Sequence, residues 1–352
     1  MRGRLRRHSK ILAKREAVLS SRPVPASNCF PPTRKTLSIL LASVALAVEL
    51  FGANQPAPVS VSAQPPPQFE ALPLVRSRQN HLLVRAYING RPAWLCVDSG
   101  APVSAIALDR RGHFRLTGIP GSSKLPPHLQ INGALSNVAI AREFRLGALN
   151  LVDEPVVTID LGSSTRTARF LHEQQIDGIL GADILFPTNA VLDCQQQLLV
   201  LKMDPEVTGR APGLDFRGFR STPIHVSDAF NLYVDSSING TPAKLMIDTG
   251  AFATLLHRSF VHRLRIPVHA TPFSSAAVNL KQRDVQIARI KRLSVASVNI
   301  LGKDVGVIDM EGLLHNGLLE ASPPVAGLLG AEILRQHHGI IDFGTRTLYL
   351  KR

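Results

Sequence analysis

Acidic side chains are in deficit in this chain. Only 26 Asp and Glu stand against 40 Lys and Arg, a formal net charge of +14. That balance would suit a nucleic-acid surface if it were spread over a fold, but it is not. Ten of the basic residues (Arg2, Arg4, Arg6, Arg7, Lys10, Lys14, Arg15, Arg22, Arg34, Lys35) precede residue 36 and meet one acid, Glu16, so nine of the fourteen net charges lie there. The basic balance belongs to a leading segment, and no nucleic-acid partner is expected. Cysteine is equally sparse, with Cys29, Cys96 and Cys194 only. Three cysteines exclude a disulfide framework, and without a Cys-x-x-Cys pair or a Cys/His spacing they exclude a zinc site. Cys96 and Cys194 both sit in apolar strand-like runs and read as buried thiols. A bridge between them in an oxidising compartment is left open. Long apolar runs are missing too. The longest, Leu37 to Val48, is shorter than the roughly 20 residues of a spanning helix.

What is present falls into segments. Residues 1–36 are basic and unpatterned and are expected to be a disordered leader. Residues 37–53 pair a positive flank with a short apolar core, the pattern of a secretory signal, with Val61-Ser62-Ala63 offering small residues for cleavage. Uncleaved, the same stretch would tether the chain to a membrane with Glu49 near the interface. Either way the body is expected to be exported, periplasmic or extracellular. Residues 54–70 are rich in Pro, Ala and Ser, a spacer composition.

From about Phe69 the chain repeats itself. Leu72-Pro73-Leu74-Val75 is answered 150 positions later by Thr222-Pro223-Ile224-His225. The runs His81 to Gly90 and Asn231 to Gly240 both end in Asn-Gly, a strong hairpin signal. The returning strands, Pro92 to Asp98 and Pro242 to Asp248, each deliver one aspartate. Strands are expected again at Phe144–Leu151 with Pro155–Ile159, and at Ile290–Val295 with Val305–Ile308. The copies coincide once more at Ile176 to Leu185 and Val325 to Leu334, now offset by 149. They finish on Ala190–Asp193 with Leu198–Lys202, and on Gly339–Asp342 with Leu348–Lys351. Residues 71–204 and 221–352 therefore read as two equivalent mostly-β lobes, joined by a Gly- and Pro-bearing linker at 205–220. Two equivalent units in one chain suggest the intrachain form of an isologous dimer, with a pseudo-twofold axis between them.

The chemistry sits where the copies agree best. Leu95-Cys-Val-Asp-Ser-Gly-Ala101 and Leu245-Met-Ile-Asp-Thr-Gly-Ala251 each run apolar strand, aspartate, hydroxyl, glycine, alanine. Each is echoed some 80 residues on by two apolar residues and a glycine, Ile179-Leu180-Gly181 and Leu328-Leu329-Gly330. On these motifs the chain, from Leu72 to Arg352, resembles the aspartic protease superfamily in its retropepsin-like, bacterial two-lobed single-chain form. The resemblance implies two tandem β-barrel lobes with a cleft between them. It implies that Asp98 and Asp248 form the catalytic dyad, that Ser99 and Thr249 tie the loops together, and that Gly100 and Gly250 permit the turn. Gly181 and Gly330 would lie beneath the loops. A glycine-rich flap is loosely matched by Gly118 to Gly133, and none of Tyr87, Tyr233 or Tyr349 stands at a flap position.

Two carboxylates held close cannot both ionise cheaply and share a proton, so one is a base while the other is an acid. That pair activates a water for attack on a peptide carbonyl without metal, nucleophilic serine or cofactor. The expected function is an aspartic endopeptidase acting on an extended peptide, as a monomer. The rival is an inactive peptide-binding module that holds a chain by strand addition. The repeated Asp193 and Asp342, and Asp183 with Glu332, lack the hydroxyl-glycine context and read as groups that satisfy loop backbone. His257, His262 and His269 do not share a helix face, so no metal site is expected.

Overall fold

A computed structural model describes residues 68–118, 137–161, 166, 168–204, 213–271, 285–315, 317–320 and 322–352. The leader, the 37–53 segment, most of the 54–70 spacer, the flap-like stretch beyond Gly118 and the Pro205–Pro212 part of the linker lie outside the described residues. All described residues belong to one compact unit running from Ala63 to Arg352. Among them, no helix is long and apolar enough to cross a membrane.

The first repeat supplies β1 (Phe69–Arg76), β2 (Leu82–Ile88), β3 (Arg91–Val97), β4 (Ala105–Ala107), β5 (Thr117–Gly118), β6 (Asn137–Leu146), β7 (Leu149–Ile159), β8 (Gly178–Leu180), β9 (Val191–Asp193) and β10 (Leu198–Lys202). The second supplies β11 (Phe219–Pro223), β12 (His225–Val226), β13 (Leu232–Ile238), β14 (Thr241–Asp248), β15 (Leu255–His257), β16 (Val268–Ala270), β17 (Gln286–Val295), β18 (Val298–Ile308), β19 (Gly327–Gly330), β20 (Ile340–Asp342) and β21 (Thr347–Lys351). The order β2-β3-β8-β4-β7-β6 closes on itself through β2–β6, and β13-β14-β19-β15-β18-β17 closes through β13–β17. The protein is therefore mostly β, with two tandem barrels of the same topology.

The hairpins form where the Asn-Gly pairs predict them. Asn89 and Gly90 have φ of 49° and 74°, and Asn239 and Gly240 have 52° and 86°. Two consecutive positive φ values make the turn whose twist suits a two-residue hairpin. The Phe144–Leu151 strand expectation is corrected at its boundary. That run straddles a turn, because Gly147 at φ 57° ends β6 and starts β7. Residues of the wrong side of a turn still alternate in polarity, so pattern alone does not place the break. Phe219, inside the stretch expected as linker, begins a strand. Phe216 packs against Tyr349 with the rings tilted by 55° and their centroids 4.6 Å apart, and both phenylalanines pack beside Val191, Val200 and Ile340.

Where a barrel strand is covered on both faces it reads as a continuous apolar run, as at Leu82-Leu83-Val84, and where one face is exposed it alternates, as from Arg85 to Ile88. In β2, Leu82, Val84, Ala86 and Ile88 enter the main core, while Leu83 joins a second cluster with Cys96, Val157 and Ile176. The second lobe repeats this with Tyr233 in place of Leu83 and Met246 in place of Cys96. Cys96 is thus a small apolar residue of that cluster. It and Cys194 are buried free thiols, not a bridge. Burial pushes the Cys194 thiol up to about 12 and raises Cys96 well above the ordinary range, so neither is a nucleophile.

The two repeats meet in a six-stranded sheet of order β11-β21-β20-β9-β10-β1. At its centre β9 and β20, which are equivalent strands, pair antiparallel with Leu192 opposite Ile341. Equivalent residues facing each other are what a twofold relation requires, so the pseudo-axis passes through this pair.

Candidate active site

The same axis passes through the two aspartate loops. β3 runs parallel to β8 with Val97 opposite Leu180, and the Asp98 N–H donates to the Leu180 carbonyl at 3.0 Å. β14 runs parallel to β19 with Asp248 opposite Gly330. The chain leaves β3 at Asp98 and returns as β4 on the other side of β8, so the apolar-apolar-glycine element lies beneath the loop. The second lobe does the same with β14, β19 and β15.

Beneath each loop a hydroxyl carries the load. Gly181 N–H donates to Ser104 Oγ at 2.9 Å, and Ser104 donates through Oγ and N–H to the Asp183 carboxylate, both at 2.7 Å. In the second lobe Gly330 N–H donates to Thr254 Oγ1 at 3.0 Å, and Thr254 N–H donates to Glu332 Oε2 at 2.8 Å. Ala182 and Ala331 N–H close the arrangement on the Ala101 and Ala251 carbonyls, each at 2.9 Å. Asp183 and Glu332 therefore hold backbone and hydroxyl groups, as the sequence suggests. Asp193 likewise accepts the Gln195 and Gln196 N–H groups, and Asp342 accepts Thr345 N–H. Ser104 and Thr254 are not evident from the motif alone. The signal that marks them is a Ser/Thr match at the same 150-residue offset as Ser99 and Thr249.

Across the axis the loops interlock. Ser99 N–H donates to Thr249 Oγ1 at 2.9 Å, and Thr249 N–H donates to Ser99 Oγ at 3.1 Å. Thr249 Oγ1 donates onward to the Val97 carbonyl at 2.7 Å, and Ser99 Oγ to the Ile247 carbonyl at 3.0 Å. Each hydroxyl thus accepts one bond and donates one, entirely across the lobe boundary. Both residues are about fully buried, at 1% exposure.

This clamp sets Asp98 and Asp248 against each other, with their carboxylates in hydrogen-bonding contact. Gly100 N–H donates to Asp98 Oδ1 at 2.8 Å, and Ala251 N–H to Asp248 Oδ1 at 2.8 Å. A side chain at either glycine would strike the opposite acid. A Cβ on Gly100 would lie 2.8 Å from Asp248 Cγ, and one on Gly250 would lie 2.5 Å from Asp98 Cγ. Both aspartates keep part of their surface open to solvent.

Loss of water around the pair raises the affinity of both carboxyls for a proton. The two then diverge. The Gly100, Gly250 and Ala101 N–H groups, with Asp248 itself, hold Asp98 toward its charged form. Asp248 is pushed further up by the negative charge of Asp98. The two carboxyls therefore titrate as one coupled pair, each holding its proton more tightly than a free carboxyl does.

The structure also brings together a group that sequence spacing passes over. Ligand atoms of His257, Asp309 and Glu311 lie within 4.8 Å of one another. The buried His257 ring accepts the Met310 N–H on Nδ1 at 3.1 Å, so its proton sits on Nε2, which faces Glu311 at 3.6 Å. A ring with Nδ1 engaged and Nε2 protonated has no lone pair for a cation. The cluster is a histidine–carboxylate pair at the end of β15.

Two closed barrels meeting at a pair of hydroxyl-clamped aspartates define a two-lobed protein of the aspartic protease superfamily. A profile of the aspartyl protease family matches residues 84–184 and again 234–333, and the chain belongs to that family. No curated protein sequence matches the chain. Solved structures similar to it include an aspartic proteinase from Irpex lacteus, 12% identical over 80% of this chain and 97% of that one, with a TM-score of 0.44. Basic 7S globulin from soybean is 10% identical over 81% and 95%, at 0.41. A retropepsin-like aspartic protease from Rickettsia conorii is 17% identical over 38% of this chain and 90% of that one, at 0.29.

Proposed function

We propose that the protein is an exported aspartic endopeptidase in which Asp98 and Asp248 activate a water between them. The observation that carries the reading is the crosswise interlock of the Ser99 and Thr249 hydroxyls, which holds the two aspartate loops against each other across the lobe boundary. Asp98 takes a proton from the water as its oxygen bonds to the peptide carbonyl carbon. Asp248 gives its proton to the carbonyl oxygen, so a neutral gem-diol forms. Asp98 then passes its proton to the amide nitrogen, the C–N bond breaks, and a gem-diol hydroxyl returns a proton to Asp248. The dyad ends with the single proton it began with, and one water has been consumed. The substrate is a peptide or protein in extended conformation, lying across the boundary of the lobes.

A peptide-library digest with and without a transition-state analogue of aspartic proteases tests the reading. Cleavage that the analogue abolishes supports it. Binding of peptides without turnover supports the peptide-holding module instead.

A further inference from the structure

An open cleft of about 430 Å³ lies where the lobes adjoin. It is lined by Arg76 at the end of β1, by Ser77 and Arg78 just after it, by Gln195 and Gln197 in the turn between β9 and β10, and by Arg335 on the short helix Ala331–Gln336 of the second lobe. Its charged side chains are all arginines. Among the described residues none of the three has a carboxylate within ion-pair distance. Two carboxylates of the neighbourhood are bonded to backbone instead: Glu173 accepts the Arg78 N–H, and Asp193 accepts the Gln195 and Gln196 N–H groups. The Arg76 guanidinium is fixed by neutral oxygens. Its Nη1 donates to Asn80 Oδ1 at 2.7 Å and to the Asn80 carbonyl at 3.3 Å, and its Nη2 donates to the Cys194 carbonyl. These bonds hold the group in place without neutralising it.

The pseudo-twofold shows the same place built shut. An offset of 150 relates Arg76, Arg78 and Asn80 to Val226, Asp228 and Phe230, and one of 149 relates Cys194 to Phe343 and Phe186 to Arg335. At the equivalent place Phe186 packs on Phe230 and Phe343, with ring centroids 5.8 and 5.2 Å apart, and Val226 joins Phe186 against the main core. An aromatic cluster thus fills one side of the axis, while arginines surround an open space on the other. Guanidiniums gathered without a counter-charge repel one another, and a partly buried charge costs free energy unless it is paired. Loss of water around Arg76, with the Arg335 charge adding to it, weakens the hold of Arg76 on its proton.

We propose that this cleft binds a phosphate group, free or as a small monoester, held between Arg76 and Arg78 of the first lobe and Arg335 of the second. Three cationic side chains suit a doubly charged oxyanion better than a singly charged carboxylate, and guanidinium forks match its oxygens in pairs. The Ser77 hydroxyl and the Gln195 and Gln197 amides add neutral donors. The cleft is larger than a bare phosphate needs, so an organic remainder has room. Because the arginines come from both lobes, the bound group bridges them, and Arg335 lies on the helix that directly follows Gly330. Binding there needs neither aspartate and stands apart from the peptidase reading.

Titration calorimetry of the full chain with inorganic phosphate, glycerol 1-phosphate and acetate at fixed ionic strength is the test. One phosphate per chain is expected, with a Kd below about 1 mM, and acetate weaker by about tenfold or more. Arg78 and Arg335 are exposed and their guanidiniums make no ion pair among the described residues, so Arg78→Gln and Arg335→Gln leave the fold intact. Each is expected to weaken phosphate by about tenfold, the scale of one lost charged hydrogen bond, and the double variant by more. The melting temperature is the second readout: phosphate should raise it in the wild type and not in the double variant. Tighter binding of glycerol 1-phosphate than of phosphate assigns a monoester as the ligand; otherwise the free ion is the ligand. No saturable binding to the wild type below about 10 mM, equal affinity in the wild type and the double variant, or acetate bound as tightly as phosphate overturns the proposal.

Discussion

Removing the hydroxyls at the lobe boundary is the sharpest perturbation of the architecture. Ser99→Ala leaves the Thr249 N–H and the Ile247 carbonyl without their partners, and Thr249→Val does the same to the Ser99 N–H and the Val97 carbonyl. Neither change opens much space, valine being isosteric with threonine. The cost is then that of two orphaned buried backbone groups, about 1–3 kcal/mol each, or roughly 2–6 kcal/mol per variant. That is a large part of a total stability of about 5–15 kcal/mol. The bonds run crosswise, so losing one hydroxyl lets the loops part and weakens what the other still holds. The double variant is accordingly expected to fall short of the sum of the singles by about 1 kcal/mol or more. Urea unfolding of the wild type, both singles and the double supplies the cycle. Singles within about 0.5 kcal/mol of wild type, or strict additivity, would refute the interlock.

Two further outcomes follow from burial and charge. Asp248 binds its proton more tightly in the folded than in the unfolded chain, so its contribution favours folding in acid and is lost as pH rises through the folded-state titration. Asp248→Asn, which cannot ionise, is expected to unfold at the same temperature as wild type near pH 3 and to be more stable by roughly 1–3 kcal/mol at pH 7, a gap of constant size across pH telling against the shared proton. Cys96 and Cys194 are expected to resist a thiol reagent in the native protein at least ~100-fold more than in denaturant, since only opening of the core exposes them; rapid native labelling would mean the core of the first lobe is not packed as described.

Much of this was legible in the sequence because duplication leaves a distance signature. A residue near a twofold axis meets its own equivalent, so the 150-residue offset of Ser99 and Thr249 already names two groups that touch. The pairing of Leu192 with Ile341 follows from the 149-residue offset in the same way. Strand boundaries were less legible. Gly147 breaks the Phe144–Leu151 run with a single positive φ, and Phe219 joins the central sheet through aromatic contacts that a Gly-rich neighbourhood hides. The His257, Asp309 and Glu311 cluster depends on β15 and β18 lying side by side, a register that spacing along the chain does not contain.

In the proposed function two carboxyls from different lobes share one proton and work as acid and base on one water. The most direct test is the rate of cleavage of a single peptide, chosen from the library digest, by wild type, Asp98→Asn and Asp248→Asn between pH 3 and 8. The expected result is a bell-shaped dependence of kcat/KM for the wild type and a loss of about a thousandfold or more in each variant, with both variants folded. Appreciable cleavage by either variant, at any pH in that range, would contradict it.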